Sequence, residues 1–149
     1  MKLAEALQER ADLNRKIEQL RTRINNNVLM QEGEKPAEDP GELIAELNAS
    51  LNRLQELIAL INLKNALVVH NGKTLTELLA ERDILTKKIS VYQDMVETAS
   101  ENVQRARMSE IRILSAVNVR ELQQQTDAFS KQLRLLDNTI QEINWTTEL

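Results

Sequence analysis

Apolar residues near the start of the chain recur at alternating steps of three and four residues. From Leu3 the series runs through positions 6, 10, 13, 17, 20 and 24. This spacing is typical of a helix that packs along one face against other helices. The exception is Arg10, which stands where a Leu or Ile is expected. The pattern therefore predicts a long helix over residues 2–27 with one charged residue in its packing face.

The composition favours long helices over an ordinary globular core. Aromatic residues make up 2% of the chain, and there are three glycines and two prolines. The absence of cysteine excludes disulfides, thiolate metal ligands and thiol catalysis. A net charge of −4 with interleaved signs argues against a nucleic-acid binder. With no signal-peptide pattern and no apolar run of about 18 residues, we expect a soluble cytoplasmic protein without membrane contact.

A second helix is predicted over residues 40–67. Asp39 is suited to cap its N-terminus, since the proline that follows fits the first helical position. The predicted packing face comprises Ile44, Leu47, Leu51, Leu54, Ile58, Ile61, Asn65 and Val68. Leu43, Leu57 and Leu60 widen the apolar stripe, so we expect this helix to contact more than one neighbour.

Two further helices follow from start signals in which Thr or Asn precedes Glu by three residues. The pairs are Thr74 with Glu77 and Asn118 with Glu121. They predict a third helix over residues 75–107 and a fourth from residue 119 to about residue 144. The predicted faces are Leu75, Leu78, Arg82, Leu85, Ile89, Tyr92, Val96, Ala99, Val103 and Ala106, then Val119, Leu122, Thr126, Phe129, Leu133, Leu136, Ile140 and Ile143.

The connections carry strand signals. Asn71-Gly72 is a strong signal for a tight hairpin, because both residue types tolerate a positive φ. Its predicted arms are Val68–Val69 and Lys73–Thr74. Residues 28–31, with the sequence VLMQ, are compatible with a short strand. Residues 109–119, SEIRILSAVNV, alternate apolar and polar side chains, which also favours a short strand.

The sequence contains an internal similarity. Residues 3–20 align on 75–92 with eight of eighteen identities, and Arg10 falls on Arg82. The apolar face of the second helix, 44–68, aligns in phase with 119–143. We predict a single domain, 1–149, built from a duplicated helical hairpin over approximately 3–67 and 75–143.

Four residues are candidates for structural or interface roles. Arg10 and Arg82 leave three interpretations open: a stem packed at the edge of the face with the guanidinium in solvent, a buried ion pair that fixes register, or ligand binding and catalysis. Carboxylate partners could come from Asp12, Glu56, Asp127, Asp137 or another subunit. Asn65 is a polar residue in the second packing face. Trp145, just beyond the last apolar position, is expected to pack against helix ends or across a subunit boundary.

The sequence offers little chemistry. Its one histidine, His70, lies in the predicted hairpin and cannot supply the paired histidines of a di-iron bundle. Glu9 and Asp12 fit one of the two magnesium-binding elements of all-α nucleotide pyrophosphohydrolases, but the Glu-Glu element is missing. The glycines are isolated, so there is no phosphate-binding loop. We predict no catalytic, cofactor-binding or metal-binding residue, no cofactor, and no enzymatic activity.

Several segments taken in order resemble a known family. They are KLAEALQERADL, EGEKPAEDP, LTELLAERD, SEIRILSAV and the terminal IQEINWTTEL, and the resemblance covers essentially the whole chain. It is to a small bacterial family of mostly uncharacterised proteins, some of which carry the name septicolysin. The name implies a membrane-active cytolysin. Thiol-activated cytolysins, however, are larger and β-rich, with a Trp-rich tip that contains cysteine.

These observations predict a mainly α protein of four long helices, arranged as two hairpins with coiled-coil-like packing and short β segments in the connections. The favoured function is a non-enzymatic, oligomeric structural or protein-interaction protein that forms a homo-oligomer and binds no nucleic acid. A cytolysin-like protein is the alternative, and a helical nucleotide pyrophosphohydrolase is the third possibility.

Overall fold

The computed structural model describes residues 1–101 and 111–149. These ranges contain four long helices, which we label α1, α2, α3 and α4. Their bounds are Leu3–Asn27, Pro40–Leu67, Leu75–Ser100 and Val119–Thr146. The prediction of a mainly α fold with short strands in a connection is confirmed. The predicted extension of the third helix over 102–107 lies outside the described residues.

The helix start signals act as predicted. Asp39 Oδ1 accepts a hydrogen bond from the backbone N–H two residues along, at 3.0 Å. Thr74 Oγ1 accepts one from the Glu77 N–H at 3.1 Å, and the Glu77 carboxylate accepts one from the Thr74 N–H at 2.7 Å. Asn118 Oδ1 accepts from the Glu121 N–H at 3.0 Å. Each bond satisfies a donor that a helix terminus would otherwise leave unpaired.

A tight hairpin joins α2 to α3. Its antiparallel strands are Val69–His70 (β1) and Lys73–Thr74 (β2). Asn71 and Gly72 form the turn with φ values of 50° and 80°. The predicted hairpin is therefore confirmed, although its first arm begins one residue later than expected.

Two other predicted strands are absent. Within the described part of the segment 109–119, residues 111–117 form no strand, and neither do residues 28–31. The first segment bends toward a helix start: Ser115 Oγ donates to the Val117 carbonyl at 2.7 Å, and Asn118 then caps α4. The alternation of apolar and polar residues did not predict the structure of this segment, because hydrogen bonds from the Ser115 and Asn118 side chains to nearby backbone compete with an extended strand.

The first compact unit comprises residues 1–68 and 143–149. Its centre is the α1–α2 hairpin, in which Leu3, Leu20, Leu57 and Ile61 are almost fully buried. The two chain ends pair beside it. The Leu3 N–H donates to the Thr147 carbonyl, and the Leu149 N–H to the Met1 carbonyl, both at 2.9 Å.

The second unit comprises residues 69–142. The predicted face of α3 is confirmed at its N-terminal half, where Leu75, Leu78, Leu85 and Ile89 are buried. The Tyr92 ring on α3 meets the Phe129 ring on α4 edge-on, with centroids 5.1 Å apart. Lys88 Nζ lies 4.2 Å from the centroid of the same Phe129 ring. The aromatic pair and the cation therefore connect the two helices through long side chains.

The packing face of α2 differs from the prediction by one residue in alternate turns. The buried or half-buried series is Leu43, Leu47, Ser50, Leu54, Leu57, Ile61, Lys64 and Val68. Ile44, Leu51 and Ile58, expected in the face, are 43%, 42% and 40% exposed. Both series are mostly apolar. The series that is buried in the structure includes the polar Ser50 and Lys64, so its sequence indicates a packing face less clearly.

Asn27 ties the end of α1 to the start of α2. Its side chain is buried, with 7% of the residue exposed. Asn27 Nδ2 donates to the Arg23 carbonyl at 2.7 Å, and Asn27 Oδ1 accepts from the Glu38 N–H at 3.0 Å. The connection over residues 28–39 is therefore fixed at both ends by one amide.

Candidate functional site

The main candidate surface is a row of exposed aliphatic side chains on α2. Ile44, Leu51 and Ile58 lie seven residues apart and form what we call the α2 row. Seven residues are close to two helical turns, so the three side chains point the same way over about 21 Å. They lie beside the face that packs on α1 but outside it. The α1–α2 contact therefore leaves part of the apolar stripe of α2 uncovered.

The opposite flank of the hairpin is charged and paired. Three ion pairs join α1 to α2 and its preceding loop at steps of seven residues on α1. They are Glu9 with Arg53, Lys16 with Glu46, and Arg23 with Glu38. Because each residue rotates the helix by about 100°, positions 46 and 53 fall on the other side of the packing face from the α2 row. The hairpin thus has one charged flank and one apolar flank.

The ion pairs shift the acidity of their members. The hydrogen bonds from Arg53 lower the pKa of Glu9, and its positive charge acts in the same direction. The hydrogen bond from Arg23 likewise lowers the pKa of Glu38. These shifts favour the ionised carboxylates that the pairs require. The Glu9–Arg53 pair joins α1 to α2, and the Arg23–Glu38 pair joins α1 to the loop before α2.

A groove opens on the apolar flank. It has a volume of about 300 Å³. Its lining residues are Ile17, Arg21, Ile24, Asn25, Leu47 and Leu51. Four of these side chains are aliphatic, and the polar ones come from α1. The groove thus joins the α2 row to the exposed side of α1.

The α2 row belongs to a wider surface without charge. We define the uncharged face as the residues of α2 that share this side of the helix. They are Ile44, Ala45, Asn48, Leu51, Asn52, Gln55, Ile58, Ala59 and Asn62, and all nine are exposed. The charged residues of α2 lie at other helical positions: Glu42, Glu46, Arg53, Glu56 and Lys64. Depletion of charge is what distinguishes the centre of an interface from ordinary surface.

The two arginines of the sequence similarity share their degree of burial. Arg10 and Arg82 are both half-buried. In the described part of the first unit no carboxylate lies within ion-pair distance of Arg10. The Arg82 Nε lies 3.8 Å from the carboxylate of its neighbour Asp83, which is largely exposed. Neither shows a buried ion pair in its own unit, and the role of both residues stays a prediction.

The other two predicted residues, Asn65 and Trp145, do not form a site with the two arginines in the described part of the chain. Asn65 is half-buried near the C-terminal end of α2. Trp145 lies in the last turn of α4 and is 50% exposed. Their assignment as interface residues also stays a prediction. Sequence analysis missed the three ion pairs, although the seven-residue spacing of residues 9, 16 and 23 was a readable signal.

Metal-ligating side chains do not cluster in residues 1–101 and 111–149. No cluster of three His, Cys, Asp or Glu side chains there could hold a metal ion. In the same ranges no buried side-chain nitrogen or oxygen lacks a hydrogen-bond partner. His70 lies in β1, with Asn71 Nδ2 3.3 Å from its Nε2. The described helices include none that is long and apolar enough to cross a membrane.

A second apolar cavity lies within the second unit. Its volume is about 540 Å³. The C-terminal half of α3 lines one side with Val91, Met95 and Ala99, and residues 113–117 line the other. Asp94 is the one ionisable residue in this lining. Thr98 and Ser115 are the other polar residues that the described part of the chain contributes to this lining.

The fold and surfaces define a mainly α protein whose first hairpin carries an uncharged helical face. The chain belongs to a family of unknown function, DUF6847, whose sequence model matches residues 10–149. It is similar to a functionally unknown conserved protein from Corynebacterium diphtheriae, known from a crystal structure. The two share 36% identity and a TM-score of 0.90, over 100% of this chain and 98% of the other.

No curated protein matches the chain. The predicted resemblance to an uncharacterised family is thus confirmed. The name septicolysin is not supported by these comparisons, since neither the family nor the solved structure carries it.

Proposed function

We propose that this protein is a non-enzymatic structural or interaction protein that works as a homo-oligomer. The observation that carries the proposal is the exposed α2 row within an uncharged face. Three aliphatic side chains about 40% exposed, aligned along one helix, are costly to leave in water. A partner that covers them removes this cost. The groove beside the row gives such a partner a shaped surface.

The two acids that fit the pyrophosphohydrolase pattern are both bound by arginines. Glu9 is held by two hydrogen bonds from Arg53, and Asp12 pairs with Arg15 on its own helix. A magnesium site needs carboxylate oxygens that are free to approach the ion. Both acids that fit the family pattern instead complete ion pairs.

Membrane lysis, the activity that the name septicolysin implies, fits the uncharged face poorly. Helices that insert at a membrane surface carry Lys and Arg on the polar side and Trp or Phe on the apolar side. The α2 row is aliphatic, and alanines and amides border it. We therefore expect this face to meet protein.

Sedimentation equilibrium of the full chain tests the proposal. We expect the mean mass to rise above the 17.1 kDa of one chain as concentration increases. A constant 17.1 kDa up to several hundred micromolar would contradict the proposal. Dye-loaded vesicles of neutral and anionic lipid provide the comparison with the cytolysin alternative. Retention of the dye is expected, and release at low protein concentration would favour lysis.

A further inference from the structure

We propose that two copies of this chain associate through the uncharged face of α2, with the two α2 helices antiparallel and a two-fold axis near Leu51. This inference rests on the proposed oligomeric function and specifies its surface and geometry. It uses only residues of the first unit.

The α2 row has the symmetry that such a contact requires. Leu51 lies midway between Ile44 and Ile58, seven residues from each. A two-fold axis near Leu51 therefore places Ile44 of one copy against Ile58 of the other. The symmetry repeats this contact at the other end, so an isoleucine meets an isoleucine at both ends. Self-complementarity of this kind is what a two-fold homodimer needs.

Two of the four polar residues of the face fit the same symmetry. Asn48 and Gln55 lie three and four residues from Leu51, on the same side of the helix. In an antiparallel pair, Asn48 of one copy comes level with Gln55 of the other. Each amide has both donors and an acceptor, so the two can satisfy one another when water is removed. No ion has to be dehydrated anywhere on the face, which avoids the largest cost of burying surface.

Charge at the ends of α2 selects the antiparallel orientation. Within the described ranges, the N-terminal end carries Asp39 and Glu42 without an arginine partner, whereas Lys64 lies near the C-terminal end. Antiparallel pairing brings the acidic end of each copy toward the Lys64 end of the other. Parallel pairing would instead bring the acidic ends together. The helix dipoles favour the antiparallel arrangement as well.

The α2 row is exposed, whereas the positions of α4 that align with it are buried or half-buried. The alignment of the two halves places Ile44, Leu51 and Ile58 on positions 119, 126 and 133. Those positions of α4 are buried or half-buried within the chain, and Thr126 is only 3% exposed. The equivalent row of α2 is exposed throughout. A second copy would give α2 the cover that α4 already has.

The size of the face sets the expected affinity. Residues 44–62 span about 27 Å, and a helix is about 12 Å wide, so α2 alone offers roughly 300 Å² per copy. A standard stable interface buries about 800 Å² per partner. The groove lined by Ile17 and Ile24 adds to the contact, yet the total stays small. We therefore expect association in the micromolar range.

Sedimentation of matched variants tests the surface. Leu51→Glu places a charge at the proposed axis and should weaken association at least tenfold. Leu60→Glu is the control, because Leu60 is similarly exposed on the same helix but lies on the charged flank. It should leave the dissociation constant within about twofold of wild type. Circular dichroism checks that both variants keep their helices.

The outcomes separate this inference from the proposed function. A wild-type protein that stays monomeric overturns both. A wild-type oligomer that Leu60→Glu weakens and Leu51→Glu does not overturns the surface alone. A tenfold loss confined to Leu51→Glu supports both.

Cross-linking tests the orientation, since the chain has no cysteine of its own. An equimolar mixture of Asn48→Cys and Gln55→Cys copies is oxidised mildly and separated by mass. Random pairing of equimolar copies already gives twice as much mixed disulfide as either symmetric product, so the antiparallel arrangement predicts a mixed product well above that twofold excess. A predominance of the symmetric Asn48→Cys product would overturn the antiparallel arrangement.

Discussion

Arg53 binds both carboxylate oxygens of Glu9, with Nε 2.7 Å from Oε1 and Nη2 3.0 Å from Oε2. The two parallel bonds fix the orientation of the guanidinium as well as its distance. Glu9 is on α1 and Arg53 on α2, so the pair fixes the register of the hairpin. The register in turn decides which side of α2 faces solvent.

The first prediction concerns this pair. Arg53→Lys keeps the charge but removes the two-pronged geometry, so we expect a small loss in the free energy of unfolding. Urea unfolding of Arg53→Lys, of Glu9→Gln and of the double variant measures the coupling free energy between the two residues. The exposed Asp12–Arg15 pair on one helix is the control, and its coupling should be smaller. Equal coupling at both places would show that the interhelical geometry contributes nothing.

The second prediction is a dependence of stability on pH. The pKa of Glu9 and of Glu38 is lowered by hydrogen bonds from Arg53 and Arg23, from a usual value of 4.5. A folded-state pKa below the unfolded one contributes stability above the unfolded pKa, and this contribution is lost as pH falls through the folded pKa. Melting temperature should therefore fall between about pH 5 and pH 3.

The double variant Glu9→Gln, Glu38→Gln tests the origin of this fall. Its melting temperature should be lower than that of wild type at pH 7, and the difference should narrow toward pH 3. The same slope in both proteins would assign the pH dependence to other carboxylates.

The residues of α2 show how far the sequence could lead. Spacing and caps located the helices and the hairpin, because those signals are local. Choosing between Leu57 and Ile58 as the residue that faces α1 requires the register between helices, which the connection over 28–39 determines. Arg10 was identified as an anomaly of the packing face, and its half-buried position agrees with a place near that face. The ion pairs could not be assigned, since each charged residue of α1 had several possible partners.

The third prediction separates those two neighbours. Leu57 is fully buried, so Leu57→Ala should leave a cavity and cost about 2–5 kcal/mol in the free energy of unfolding. Ile58→Ala should cost less than about 1 kcal/mol at concentrations where the chain is monomeric, because its side chain is partly in water already. Chemical denaturation at low protein concentration measures both. The reverse ranking would restore the packing face first predicted from the sequence.

The last prediction concerns Asn27, whose amide joins α1 to the loop before α2. Asn27→Ala leaves the Glu38 N–H and the Arg23 carbonyl without their partner, and we expect a loss of about 1–3 kcal/mol in the free energy of unfolding. Asn26→Ala is the matched control, because Asn26 is exposed and adjacent, and it should change stability by less than about 0.5 kcal/mol. Asn27→Asp keeps the acceptor for Glu38 and loses the donor to Arg23, so its stability should lie between those of Asn27→Ala and wild type.

Hydrogen exchange at the Glu38 amide supplies the local measurement: it should speed up in Asn27→Ala and stay slow in Asn26→Ala. Unchanged exchange in Asn27→Ala would show that the loop is held by other contacts.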